Sequence, residues 1–156
     1  MADADTLASY FHQWRGRIRG WLCRMTDDID LVNDIEGEMY LRAWNAWHNT
    51  KPDDIGAWLF TIARNLLWDH LRRQISRKER EDRYEWRHRT HNWNAIDALL
   101  DVERAWPRLT QEQQDALILA ALGYTGAAGA ERMGINPIAF NSVVHRGRQT
   151  LMRLTR

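Results

Sequence analysis

The stretch Arg132–Arg148 reads RMGINPIAFNSVVHRGR and contains the start of a helix. Asn136 is a favoured N-cap residue, and Pro137 suits the first helical position, where its missing N–H leaves no hydrogen bond unmade. Apolar residues then fall on one side, and the other side carries Asn141, Ser142, His145, Arg146, Arg148 and Gln149. Positions 132–156 hold five Arg and no Asp or Glu. The pattern predicts a helix with one buried face and one basic face.

A second, shorter helix is predicted directly before this one. Thr110 and Gln113 form a capping box at the start of a helix that ends near Gly123. Thr125 then caps a short helix over 126–133, which Gly134 ends. The tail therefore has the spacing of a helix-turn-helix. Its expected shared core is Ile118, Leu122, Met133, Ile135, Phe140, Val144 and Leu151.

A helix-turn-helix with a basic outer face suits the major groove of DNA, where amide, hydroxyl and guanidinium groups bond to base edges and phosphates. Many such helix pairs are only packing corners, so this pattern alone leaves both readings open. The residues expected to contact DNA are Asn136, Asn141, Ser142, His145, Arg146 and Arg148.

The first half of the chain has helical spacing throughout. Apolar residues recur at i, i+3 and i+4 over 7–25, again over 28–47, and a third time from 58 to about 75. No segment alternates with a period of two over enough residues to predict a strand. The tryptophans expected in the core on this spacing are Trp14, Trp21, Trp44 and Trp106.

Residues 76–94 read SRKEREDRYEWRHRTHNWN and lack an apolar stripe, which is typical of a linker. The prediction is an all-α fold with two small helical domains, 1–75 and 95–156, joined by the charged linker 76–94. The C-terminal domain is the helix-turn-helix.

Several functional classes are disfavoured by the sequence. Cys23 is the only cysteine, which excludes an internal disulfide, and its apolar neighbours predict a packed thiol. His88 and His91 have helical spacing but no further ligand in a fixed motif, so no metal is expected. The phosphate-loop, zinc-protease, nucleophile-elbow and dinucleotide motifs are all missing. We therefore expect no enzyme activity and no cofactor.

The chain has no apolar run near the roughly 18 residues that span a bilayer, and its first residues lack the features of a signal peptide. A cytoplasmic location without membrane insertion is expected. The net charge of +1 conceals an acidic front, with six Lys/Arg against ten Asp/Glu over 1–57. Such asymmetry is typical of two different partners, or of ordinary solvated helix faces.

Three stretches in order carry a family resemblance. Asp34–Trp44 reads DIEGEMYLRAW, Ala57–Arg73 reads AWLFTIARNLLWDHLRR, and the tail runs from LTQEQQ at Leu109 to VHRGR at Arg148. These stretches resemble the second and fourth conserved regions of the extracytoplasmic-function (ECF) sigma factors of bacterial RNA polymerase.

The resemblance implies a promoter-specificity subunit whose partners are core RNA polymerase and promoter DNA. It implies polymerase binding through Asp34, Glu38, Leu41 and Trp44. It implies contact with the minus-ten element through Asn49, Lys51, Trp58, Arg64, Asn65, Arg72 and Arg73. The tail would read the minus-thirty-five element. The family also implies a further partner, an anti-sigma factor.

The chain departs from the family pattern in three places. Asn141 and Val143 stand where a Lys and an Arg are usual, Gly37 replaces a Gln, and the segment 126–131 is rich in glycine. These departures keep two alternatives open: a sigma-like decoy or adaptor that binds an anti-sigma protein without reading DNA, and a stand-alone repressor that dimerises on palindromic DNA.

Overall fold

The computed structural model describes residues 2–50, 52–80 and 93–155, and within them it contains seven α-helices, one short 3₁₀ helix and no strand. The all-α prediction is confirmed. The helices are α1 (Ala2–Met25), α2 (Ile29–Trp47), α3 (Ile55–Arg80), α4 (Trp93–Ala105), the 3₁₀ turn Trp106–Arg108, α5 (Gln111–Ala121), α6 (Gly126–Met133) and α7 (Pro137–Leu154).

The helix ends agree with the predicted capping residues. The Thr110 hydroxyl accepts from the Gln113 N–H while the Gln113 side chain accepts from the Thr110 N–H, which completes the capping box. The Asn136 side chain accepts from the Ala139 N–H at 2.8 Å. Gly134 ends α6 with φ of 66°, a left-handed conformation that favours glycine. α3 continues to Arg80, beyond the predicted end near Ile75, and residues 81–92 of the predicted linker lie outside the described residues.

The larger core lies between α1, α2 and α3. The predicted apolar stripes supply fully buried side chains, which include Leu7, Ile18, Leu22, Val32, Met39 and Leu59, and Leu67 is fully buried beside them. Two predictions for this half are wrong: Trp44 is 39% exposed, and Cys23 is exposed. Trp44 directly follows the buried Ala43, so it is rotated about 100° from the buried stripe of α2.

A buried acid connects α1 to α2, which the sequence did not predict. The Glu36 residue is 6% exposed, and its carboxylate is ion-paired with Arg15 at 3.1 Å and with Arg19. A buried carboxylate needs such partners because its desolvation is otherwise too unfavourable. The pairing therefore fixes how these two helices face each other.

The smaller core holds α5, α6 and α7 together, and its buried residues are Ala116, Leu119, Ala130, Phe140, Val143 and Val144. The predicted members Phe140 and Val144 are confirmed. The placement of Ile118 and Leu122 in this core is wrong, because both side chains belong to the larger core. Both side chains face the N-terminal half of the chain.

The C-terminal half packs directly on the N-terminal half. Arg17 and Arg24 of α1 donate to the carbonyl oxygens of Leu122 and Ala121, each at 3.0 Å. These oxygens belong to the C-terminal end of α5, where the helix leaves its last carbonyls without an internal partner and favours cations. Arg132 of α6 forms an ion pair with Asp54 at 2.9 Å. The boundary between the two predicted domains stays a prediction.

Arg64 of α3 also takes part in this contact. It is 9% exposed, and its Cζ lies 4.6 Å from the ring centroid of Trp68 and 4.4 Å from that of Trp106. Burial lowers the pKa of Arg64 to about 10, so the guanidinium stays charged at neutral pH. Its Nε and Nη1 atoms have no hydrogen-bond partner among the described residues.

Replacing Arg64 by Met tests the balance of these effects. Stacking on two rings stabilises by about 0.5–2 kcal/mol, whereas a buried unpaired donor costs about 1–3 kcal/mol. We expect Arg64→Met, which keeps an unbranched side chain, to leave Tm unchanged or to raise it by a few degrees. Arg64→Ala should lower Tm because it leaves a cavity. A fall in Tm as large for Met as for Ala, measured by calorimetry, would contradict this account.

A pair of glycine substitutions tests the packing of α6 on α7. A Cβ on Gly129 would come within 2.3 Å of Cζ of Phe140, whereas a Cβ on Gly37 in α2 would meet no atom within 4 Å. Helix propensity favours alanine at both positions by about 1 kcal/mol. We expect Gly37→Ala to raise the free energy of unfolding, and Gly129→Ala to lower it by about 1–2 kcal/mol, because overpacking outweighs propensity. Urea titration measures both, and equal gains would refute the close contact.

Candidate nucleic-acid interface

The outward face of α7 is polar and basic. Phe140, Val143, Val144 and Gly147 are buried and fix the orientation of the helix. The residues on the other side are therefore all exposed: Asn141, Ser142, His145, Arg146, Arg148 and Gln149. The sequence placed these residues on one face, and the structure does so too.

The hydrogen bonds within this face determine which donors and acceptors remain available to a ligand. The Ser142 hydroxyl donates to the Ile138 carbonyl at 2.9 Å, so its oxygen remains as an acceptor. The Asn136 side-chain oxygen caps the helix and leaves only its amide N–H groups free. Arg146 and Arg148 form no ion pair with any described residue. Both guanidinium groups can therefore meet phosphate without first losing a carboxylate partner.

Part of this face is a shallow, nearly flat recess. Ile138, Asn141, Ser142, His145 and Arg146 line an open depression of about 510 Å³. The apolar Ile138 at its edge was not predicted as a site residue. Its signal in the sequence is a large apolar side chain one turn before Asn141 and Ser142, outside the buried stripe of α7.

The structure explains one departure from the family pattern. Val143 is 2% exposed and packs in the smaller core with Ala116 and Phe140. Position 143 therefore does not face outward in this chain, and an apolar residue there stabilises α7 against α5 and α6. The loss of an arginine at this position does not remove a group from the exposed face.

The predicted minus-ten residues differ in how exposed they are and in their ion pairs. Asn49, Asn65 and Arg73 are exposed, and Trp58 is half-buried, with its ring centroid 6.2 Å from that of Trp47. Lys51 lies outside the described residues. Arg72 is ion-paired with Asp69 and Glu103, so its charge is already balanced.

The expected position of Arg64 is wrong. It was expected on the DNA-facing side of α3, but the two tryptophan rings enclose it in this arrangement. The periodicity of α3 places Arg64 between the buried Ala63 and the exposed Asn65. Trp68, one turn further along α3, covers the guanidinium group with one ring, and Trp106 from the C-terminal half of the chain covers it with the other.

His70 adds no charge to the surface of α3 at neutral pH. Burial is the main cause that lowers its pKa, and the nearby Asp28 carboxylate acts in the opposite direction. Its Nε2 lies 2.9 Å from Nε2 of Gln74. A histidine whose folded pKa is depressed stays neutral until the pH falls below its usual range.

The predicted polymerase-binding residues share an accessible side of α2. Asp34, Glu38 and Leu41 follow i, i+4 and i+7 spacing, and all are exposed, with Leu41 at 56%. Trp44 continues this stripe and stacks on Tyr40 with ring centroids 6.4 Å apart. Glu38 pairs with Arg42 at 3.2 Å. Acids therefore flank an apolar patch of two large side chains.

The described residues contain no group of three or more acidic, histidine or cysteine side chains placed to hold a metal ion. His88 and His91, at which no metal was expected, lie outside these residues. Across the described ranges, none of the helices combines the length and the apolar character needed to cross a bilayer.

Comparison with known proteins supports the fold and the motifs. Residues 10–77 match the family model of Sigma-70 region 2. The chain is 27% identical to the ECF RNA polymerase sigma factor SigK of Mycolicibacterium vanbaalenii, over 97% of this chain and 82% of that protein. It is 30% identical to the ECF RNA polymerase sigma factor BldN of Streptomyces coelicolor, over 97% of this chain and 61% of that protein.

The fold is similar to that of the sigma factor RpoE in its co-crystal structure with the anti-sigma factor NepR from Bartonella quintana. The TM-score is 0.51 at 20% identity, and the match covers 94% of each chain. Sequence motifs, relatives along nearly the whole chain and a shared fold lead to the same assignment. The chain is similar along nearly its whole length to extracytoplasmic-function sigma factors.

Proposed function

We propose that this protein binds core RNA polymerase, directs it to a set of promoters and assists in opening them. The observation that carries the proposal is the outward face of α7, which is exposed, free of acids and rich in hydrogen-bonding groups. A helix with these properties suits the major groove, where base edges are distinguishable and phosphates flank them.

The two halves of the chain have different parts in this proposal. α7 reads the upstream, minus-thirty-five element as duplex. Asn49, Lys51, Trp58 and Asn65 meet the minus-ten element, where an aromatic ring can stack on an unpaired base and contribute about 1–3 kcal/mol. For Arg64 to meet DNA, Trp106 must first move away from its guanidinium group.

Docking to polymerase uses the exposed side of α2. Leu41 and Trp44 offer an apolar centre, and Asp34 and Glu38 offer acids at its edge. A buried apolar centre with a polar rim is the usual composition of a protein interface. The acidic front of the chain would also attract a basic partner surface.

This proposal describes a binding protein and not an enzyme, and it places the chain in the cytoplasm, where a bacterial polymerase meets the chromosome. An anti-sigma factor is a further partner, because the structurally similar RpoE was crystallised with one. The decoy alternative shares that partner and lacks DNA reading.

Reconstituted transcription tests the proposal. Purified protein and core polymerase are incubated with a library of promoter-length duplexes, and RNA starts are mapped. We expect starts at a shared sequence that neither component selects alone. Failure to bind core polymerase would refute the proposal. Polymerase binding without any selected sequence would favour the decoy.

Two substitutions in α7 separate base reading from phosphate binding. Arg146→Ala should lower the binding affinity for all duplexes equally and reduce the slope of log K against log salt by about 1. Asn141→Ala should reduce the binding free energy by roughly 1–3 kcal/mol, and only for duplexes with the preferred base at one position. Arg104→Ala is the matched control, because Arg104 is exposed on α4 and pairs with Asp101. Equal losses for both α7 variants on every sequence, measured by fluorescence anisotropy, would refute this division of roles.

Trp44→Ala tests the polymerase face. A central aromatic anchor typically contributes at least about 2 kcal/mol, so we expect affinity for core polymerase to fall roughly thirtyfold. Ile29→Ala is the control, since Ile29 is an exposed apolar residue on the same helix, about 22 Å away along its axis. Equal affinities for wild type and Trp44→Ala would place the interface elsewhere.

A further inference from the structure

Ile138 is the most exposed of the large apolar side chains in the described structure, at 80%. It is the second residue of α7, directly after Pro137. A β-branched residue has a lower helix propensity than alanine, and exposure gives it no packing energy. Neither folding nor helix formation therefore accounts for an isoleucine here.

The neighbours of Ile138 are the residues proposed to read DNA. It lines the open depression of α7 together with Asn141, Ser142, His145 and Arg146. It also lies in the first turn of the helix, and in helix-turn-helix proteins the N-terminal residues of the second helix contact the base edges. Its position therefore belongs to the base-reading part of the face and not to the phosphate-binding part.

The chemistry of the major groove leaves one partner for such a side chain. An isoleucine cannot form a hydrogen bond, and the thymine C5-methyl group is the apolar group among the base edges of this groove. Asn141 is suited to the N6 and N7 atoms of adenine. An A·T pair offers the thymine methyl group on one strand and the adenine N6 and N7 atoms on the other.

The spacing of the two residues fits neighbouring base edges. Ile138 and Asn141 are three residues apart, which places their Cβ atoms about 5–6 Å from each other on one helix face. Successive bases of one strand are about 3.4 Å apart along the axis. The two side chains therefore reach the same base pair or adjacent pairs.

We propose that Ile138 is a specificity-determining residue that packs against a thymine methyl group in the upstream promoter element, beside the adenine contact of Asn141. This inference rests on the proposed function and narrows it. The upstream element should contain an A·T pair, or two adjacent ones, at the site of the first turn of α7.

Removal of single methyl groups from the DNA tests the proposal. The full chain with core polymerase is bound to its selected promoter, and each thymine of the upstream element is replaced in turn by deoxyuridine, which pairs identically but lacks the methyl. We expect one replacement to weaken binding threefold to fivefold, about the effect of burying one methyl-sized group. Ile138→Ala should weaken binding to the thymine duplex and make the two duplexes equal.

Met152→Ala is the matched control, because Met152 is an exposed apolar residue at the other end of α7. It should keep the preference for thymine. Equal binding of thymine and deoxyuridine by the wild-type protein at every position would overturn the inference, and so would an undiminished preference in Ile138→Ala. If Ile138→Ala lowers affinity for core polymerase alone, the side chain meets protein and the inference fails. Absence of any sequence-selective binding by the wild type would refute the proposed function itself.

Discussion

The contact between Phe140 and Gly129 determines how α7 presents itself to a partner. A Cβ on Gly129 would lie 2.3 Å from Cζ of the Phe140 ring, so the ring can pack this closely on α6 only because position 129 is a glycine. Val143 and Val144 continue the buried stripe. Because these residues hold one side of α7 in the smaller core, the other side of the helix, which carries no acid, is exposed. Any function assigned to that face therefore depends on tight packing behind it.

Much of the fold was predictable from local signals. Capping side chains, the left-handed Gly134 and apolar residues at helical spacing are properties of a few neighbouring residues, and the structure agrees with them. The exposed face of α7 follows from the same periodicity. The glycine at position 129 of α6 could not be explained from local sequence. It is explained by the packing partner, because the Phe140 ring lies where a side chain at position 129 would be.

The remaining errors concern contacts between distant parts of the chain. Periodicity assigns a residue to a face of its helix but not to the neighbour that covers that face, so Ile118 and Leu122 were placed in the wrong core. Arg64 was expected at the surface because Trp106, one of the two tryptophans that enclose it, lies in the other half of the chain. Trp44 was expected inside because its spacing resembled that of core residues, but the buried stripe of α2 passes through the neighbouring Ala43, and Trp44 is 39% exposed. These corrections bring the apolar Trp44 to the surface and withdraw the cation Arg64 from it.

Photochemical crosslinking tests the central claim, that the outward face of α7 contacts duplex promoter DNA. Bromodeoxyuridine is placed at each thymine of the upstream element, the full chain is bound with core polymerase, and the crosslinked peptides are identified by mass spectrometry. The account predicts crosslinks within residues 137–149. Crosslinks to other helices of this protein, with none to α7, would contradict it.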